Sequence, residues 1–321
     1  MASQRKDPWL VAARKGEQVG EVAARTLAAR LAMVRCLLME AAVVDDGGET
    51  IHKLRVGVRR CEAAIVAFKT LLPRQERRQL AKRLEAMRRA AGKARDLDVL
   101  VARLRAGGHQ GGKRSSPAAA KAGKEPTADG GGLARAIDLL LRGRRAARKL
   151  IRAEWRESSR KEWRRRSTRL LDGIGGRKAR DLFDRFARRQ LEKISRRFLE
   201  AAAGRPRDVE ALHALRIRAK KTRYAVEIFG GVITPARRSA LHALLARFQD
   251  LAGECTDRVS AARRLARLAK AAVDTVDRRA FASLSRAESR AAEKARTRLV
   301  AWLTPGRVKK IGRWIRPDDR S

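Results

Sequence analysis

Residues 51–68 read IHKLRVGVRRCEAAIVAF, and residues 212–229 read LHALRIRAKKTRYAVEIF. The offset is 161 residues without a gap, and it sets His52 on His213, Leu54 on Leu215, Arg55 on Arg216 and Phe68 on Phe229. The register continues downstream: Leu80, Leu84, Gly92, Asp96 and Leu104 fall on Leu241, Leu245, Gly253, Asp257 and Leu265. A chain that repeats itself over this length builds two copies of one unit, which restricts it to architectures with an internal pseudo-symmetry.

At about 100° per residue the repeated stretch is an amphipathic helix. Leu54, Val58, Cys61, Ile65 and Phe68 make one apolar stripe, and Leu215, Ala219, Thr222, Val226 and Phe229 make its counterpart. His52, Arg55 and Arg59 lie opposite the first stripe. His213, Arg216, Lys220, Arg223 and Tyr224 lie opposite the second, with Arg60 and Lys221 on the flanks. Each helix therefore buries one face and aligns cationic donors on the other. One departure is visible: unit one has Glu62 and Ala63 where unit two has Arg223 and Tyr224, so its half of a shared site is expected to hold an anion less strongly.

Charge narrows the function. The 321 residues carry 78 Lys plus Arg against 35 Asp plus Glu, a net charge of +43 that calls for a polyanionic partner. Arg outnumbers Lys, which suits bidentate contact with phosphate oxygens. Aromatics make up 4% of the chain with a single Tyr, a poor endowment for stacking bases. Cys36, Cys61 and Cys255 are scattered, with no CxxC, so neither a disulfide framework nor a zinc site is expected. Asp96, Asp98 and Asp257 are candidates either to orient arginines or to hold a metal ion. No P-loop, HExxH or nucleophile elbow is present, so no catalytic residue, no cofactor and no enzymatic activity are expected.

Along the chain, residues 1–16 read as a basic leader without a signal peptide. The pattern predicts helices over 17–43, 51–72 and 73–105. A Gly-, Ser- and Pro-rich linker containing His109 follows over 107–132. An arginine-dense helical stretch over 133–172 holds Trp155 and Trp163, eight residues apart and expected as packing anchors on one helix face. After a Gly break, helices are predicted over 177–203, the second signature helix, 235–270 and 274–303. His242 is expected as a packing residue, Gly92 and Gly253 as positions of close helix approach, and 304–321 as a basic tail. The fold class is all-α: two four-helix bundles, unit one over 17–172 and unit two over 177–303, related by a pseudo-twofold around a basic central groove. No stretch is long and apolar enough for a membrane span, and a cytoplasmic protein is expected.

HKLRVGVRR and HALRIRAKKTRYAVEIF, followed by GKARDLDVL and QDLAGECTD, resemble the CHAD (conserved histidine α-helical) domain over residues 17–303. The His-x-x-Arg helix occurs twice, each time with a Gly-x-x-x-Asp segment 40 residues on. The resemblance implies a helical domain around a basic groove or pore that binds inorganic polyphosphate and associates with polyphosphate granules. Carried over residue by residue, the binding positions are His52, Arg55, Arg59 and Arg60 in unit one and His213, Arg216, Lys220, Lys221, Arg223 and Tyr224 in unit two. A nucleic-acid-binding basic protein is the alternative that the charge permits, and the sequence leaves oligomeric state open.

Overall fold

Capping residues decide where the helices begin. In the computed structural model, which describes residues 11, 13, 14, 16–111, 129–204 and 206–316, α1 (Val19–Val43) opens where the Gln18 amide donates to the Glu21 carboxylate at 3.1 Å. Helix α2 (Glu49–Ala67) starts after Gly48, which has φ 103°. A side chain there would run into the Asp98 carboxylate, so glycine is required on both counts. Asp46 accepts from the Thr50 amide at 3.0 Å and completes this start. Helix α3 (Arg74–Gly111) follows Pro73, and α4 (Asp129–Glu157) returns along it.

A second run of helices follows the same order. Helix α6 (Phe183–Ala203) leads to α7 (Val209–Phe229), whose cap Asp208 accepts from the Ala211 amide at 2.7 Å. Helix α8 (Pro235–Ala271) has proline in its first turn, and α9 (Thr275–Trp302) is capped by Asp274. Between the runs α5 (Arg160–Asp172) and a 3-10 turn over 177–180 make the connection, and α10 (Pro305–Ile315) closes the chain. Among the described residues there are ten α-helices and no strand beyond the single bridge of Gln18 with Leu182. The all-α class read from the sequence is the class observed.

Two helices exceed the expected four per unit. Residues 160–172 are not a continuation of α4: Ser159 breaks the chain and accepts from the Glu162 amide at 3.3 Å, starting α5. Trp155 and Trp163 therefore sit on different helices rather than on one face. Trp163 is buried and its Nε1 donates to the Leu31 carbonyl at 3.2 Å, while the Arg35 guanidinium lies 4.5 Å above the half-buried Trp155 ring. The stretch expected as a basic tail contains α10, which buries Ile311 and Ile315 and packs on α6 and α8. Arg237 at the start of α8 donates to the carbonyls of Arg313 and Arg316 at 2.8 and 2.6 Å, tying off the helix end where carbonyls lack partners. The expected linker over 107–132 falls mostly on 112–128, outside the described residues, as does most of the leader; its ends belong to α3 and α4.

Both apolar stripes are inside: Leu54, Val58, Cys61, Ile65 and Phe68, with Leu215, Ala219, Thr222, Val226 and Phe229, are each at most 4% exposed. Burying aliphatic side chains of this size stabilises by about 1.5–3 kcal/mol apiece. The stripes point to a common centre, where Phe68 and Phe229, equivalent at the 161-residue offset, meet edge to face with centroids 6.0 Å apart. Phe186 stacks on Phe68 and meets Phe229 edge-on. Helices α2 and α7 thus touch through their C-terminal ends and leave their polar faces free on either side.

Candidate functional site: a double basic cavity

Two open cavities flank the α2–α7 contact. The first, of about 980 Å³, lies between α2, α3, α7 and α8. His52, Arg55 and Arg59 face it from α2, and Arg216, Lys220, Arg223 and Tyr224 from α7. The second, of about 1240 Å³, lies between α2, α6 and α7 and takes Arg59, His213, Arg216, Lys220, Lys221 and Tyr224. Arg59, Arg216, Lys220 and Tyr224 line both, so these four side chains form the partition between them. The sequence-derived residues therefore converge, but not in one chamber: His52 opens into the first cavity and His213 into the second.

Arg60 departs from the set. It lines neither cavity, and its Nη2 and Nε hold the carboxylate of Glu227 on α7 at 2.8 and 2.9 Å. The Glu227 side chain is fully buried, so Arg60 is the counter-charge of an internal carboxylate rather than a donor to a ligand. The helical wheel placed Arg60 on the flank of the basic side, and the partner that turns it inward sits 167 residues away.

Two of the three candidate aspartates are paired with arginines. Asp96 accepts from Arg55 Nη1 at 2.9 Å, and buried Asp98 accepts from Arg144, which also pairs with Asp45. Asp257 lies near Arg216 and favours its charged form. Among the described residues no group of three or more His, Cys, Asp or Glu is gathered closely enough to hold a metal ion. The two motif glycines do not serve close helix approach. A Cβ on Gly92 would meet nothing within 4 Å, and one on Gly253 would meet only Arg216 Nη2 at 3.6 Å, an ordinary contact.

The electrostatics are those of crowded cations that outnumber their acids: Asp96, Asp250, Glu254 and Asp257 also line the first cavity. Burial, and then the Arg55 charge, lowers the pKa of Arg59, and burial likewise lowers that of Arg216. Arg216 Nε is buried with no hydrogen-bond partner. Lys220 is affected most: burial first, then Arg216, Arg59 and Arg55, push its amine down to about 6. Desolvation, followed by the Arg95 charge, lowers His52, so the cavity walls by themselves disfavour the imidazolium that a bound anion would favour. Among the described residues Arg59, Arg216 and Lys220 have no carboxylate within ion-pair distance. The opposite holds at Glu62, whose carboxyl burial raises although Arg88 donates to it at 3.1 Å. An acid therefore faces the second cavity at the point where the repeat would place Arg223.

Several cations of the first cavity escaped the motif-based reading: Arg95 and Arg103 from α3, and Arg263, Arg264, Arg267 and Lys270 from α8. The signal was present for one pair, since Arg103 and Arg264 are themselves 161 residues apart. The others have no counterpart in the repeat, and only the packing of α3 and α8 beside α2 and α7 brings them to the site.

The sequence matches the CHAD domain family over residues 25–266. The fold is similar to the crystal structure of the CHAD domain from the plant Ricinus communis, with TM-score 0.65 and 22% identity over 96% of each chain. It is also similar to PptA from Streptomyces chartreusis, with TM-score 0.61 and 16% identity over 89% of this chain and 99% of that one. No curated protein matches the chain in sequence. With three quarters of its residues inside the family match, the chain belongs to the CHAD domain family.

Proposed function

We propose that this protein binds linear inorganic polyphosphate along the two cavities, and that it does so in the cytoplasm at polyphosphate granules. The family is known for polyphosphate-related binding in general. The observation that carries the reading is the partition: Arg59, Arg216 and Lys220 are reached from both cavities and have no carboxylate of their own. Arg59 and Arg216, crowded with Arg55 out of water, repel one another and hold Lys220 deprotonated; a phosphate chain between them relieves that repulsion, draws a proton onto Lys220 and meets donors such as Arg216 Nε. Rigid helices hold these donors in place, so little side-chain freedom is lost on binding. Tyr224 is the one aromatic side chain facing the first cavity, which suits a ligand without bases. In this binding role each named residue serves as a charge or a hydrogen-bond donor.

Competition tests this. Polyphosphate of defined length should displace single- and double-stranded DNA from the protein at moderate salt, while DNA should not displace polyphosphate. Steep salt dependence is expected for both ligands and decides nothing by itself. Equal displacement in both directions would favour the nucleic-acid reading and sink this one.

A further inference from the structure

The partition between the cavities contains one primary amine. Lys221 and Lys193 face only the second cavity and Lys270 only the first, whereas Lys220 is reached from both. Its charged neighbours are the guanidiniums of Arg216, Arg59 and Arg55 and, opposing them, the Asp257 carboxylate; neither Arg59 nor Arg216 has a carboxylate within ion-pair distance. An amine that is uncharged keeps its lone pair for attack, and burial together with these arginines holds Lys220 in that form near neutral pH. Two vacant phosphate holders beside an available amine are the requirements for reaction with an electrophile that carries its own phosphate.

We propose that Lys220 is an acylation site for small acyl phosphates, with the phosphate seated on Arg59 and Arg216 and the acyl group passing to the amine. The Nζ lone pair attacks the acyl carbon, and the bond from that carbon to the phosphate oxygen breaks. Inorganic phosphate leaves with the bonding electrons, the nitrogen loses one proton to water, and an amide remains. Nothing is oxidised or reduced. The arginines stabilise the charge on the departing phosphate. The amide can no longer be protonated, so acylation removes the positive charge that a bound polyphosphate would draw onto Lys220 and weakens the polyphosphate site. That last consequence alone rests on the proposed function.

The test uses the full chain and acetyl phosphate as the probe, with acetylation at each lysine followed by peptide mass spectrometry. At pH 7 Lys220 should acetylate on the order of tenfold faster than exposed Lys149 and Lys161. Its rate should level off above the amine's pKa of about 6, while theirs keep rising with pH. Inorganic phosphate in excess should slow Lys220 and leave Lys149 unchanged. A Lys220 rate no higher than that of Lys149, or no slowing by phosphate, would overturn the proposal. Rapid, phosphate-sensitive labelling without protection by long polyphosphate would uphold the acylation site and count against polyphosphate as its ligand, so the two failures are told apart.

Discussion

The inner partition and the outer face of α4 and α5 are built from the same residue type and do opposite things with it. On the outside, Arg165 and Arg166 share Glu162, Arg142 pairs with Asp138 one turn away, and Arg145, Lys149 and Arg164 stand in solvent. Water and salt screen these charges, and each contributes little beyond solubility. Inside, Arg59, Arg216 and Lys220 are desolvated and have no carboxylate within ion-pair distance, Asp257 acting on Arg216 and Lys220 only from further off. The comparison teaches that charge count does not locate a polyanion site in so basic a chain; what locates it is cation crowding that the protein leaves uncompensated.

The sharpest way to break the comparison is a pair of double variants at one salt concentration. Arg216→Ala with Lys220→Ala removes two charge-assisted contacts, each contributing about 1.5–3 kcal/mol, so polyphosphate affinity should fall at least on the order of a hundredfold. Arg145→Ala with Lys149→Ala on the outer face should cost less than about threefold. Equal losses measured by titration calorimetry would mean that binding is diffuse.

Second in size is the contrast between two paired carboxylates. Glu227→Ala leaves Arg60 without its partner in the interior and should destabilise by about 3–5 kcal/mol in urea unfolding. Glu162→Ala, which frees Arg165 and Arg166 at the surface, should leave the urea midpoint nearly unchanged. Similar midpoints for the two variants would place Arg60 in solvent and return it to the binding set.

Third comes pH. A bound anion favours the charged amine, so binding takes up a proton at Lys220 and affinity rises as pH falls towards about 6, then flattens below it. Between pH 8 and 6 the gain should approach tenfold, and Lys220→Arg, permanently charged, should flatten the profile. The empty protein should show the reverse trend in stability. Its Lys220 binds a proton less readily than the unfolded chain does, so this group's contribution strengthens as pH rises from about 6 towards the ordinary lysine value. An affinity profile that is level from pH 8 to 6 in the parent chain would remove Lys220 from the site.

The smallest effect is expected from replacing residues 112–128 by a short Gly-Ser linker. Their composition offers no apolar anchor, and α3 and α4 already pack along each other. Affinity and melting temperature should both stay unchanged; a loss of affinity in a folded deletion would give this segment a part in binding.

Much of the architecture was legible because periodicity reports burial directly: the ten stripe residues of α2 and α7 are all inside. Predicted bounds for the helices at 235–270 and 274–303 lie within a residue or so of α8 and α9, since Pro235 and Asp274 are strong local start signals. Helix α5 was missed although Ser159 and Glu162 form a capping pattern, because the arginine density on both sides looked continuous. Helix α10 was hidden for a similar reason: its two buried isoleucines stand among cations. At the site, the wheel gave which residues share a face, but not that Glu227 would claim Arg60, nor that His52 and His213 would open into separate cavities. Those facts depend on residues far apart in sequence that only tertiary packing introduces to one another.

The meeting of Phe68 with Phe229 has a consequence for any attempt to cut the protein in two. A fragment ending near residue 172 would present Phe68 with nothing to receive it, and its natural remedy is a second copy of itself, Phe68 against Phe68. Such a pair would set Arg60 opposite Val66, the residue that stands where the other half has Glu227, and leave a guanidinium stranded. The second half paired with itself would set Lys221 opposite Glu227 and lose nothing in sign. The two 18-residue stretches thus differ in what self-pairing would do: residues 212–229 would keep a base opposite an acid, and residues 51–68 would not.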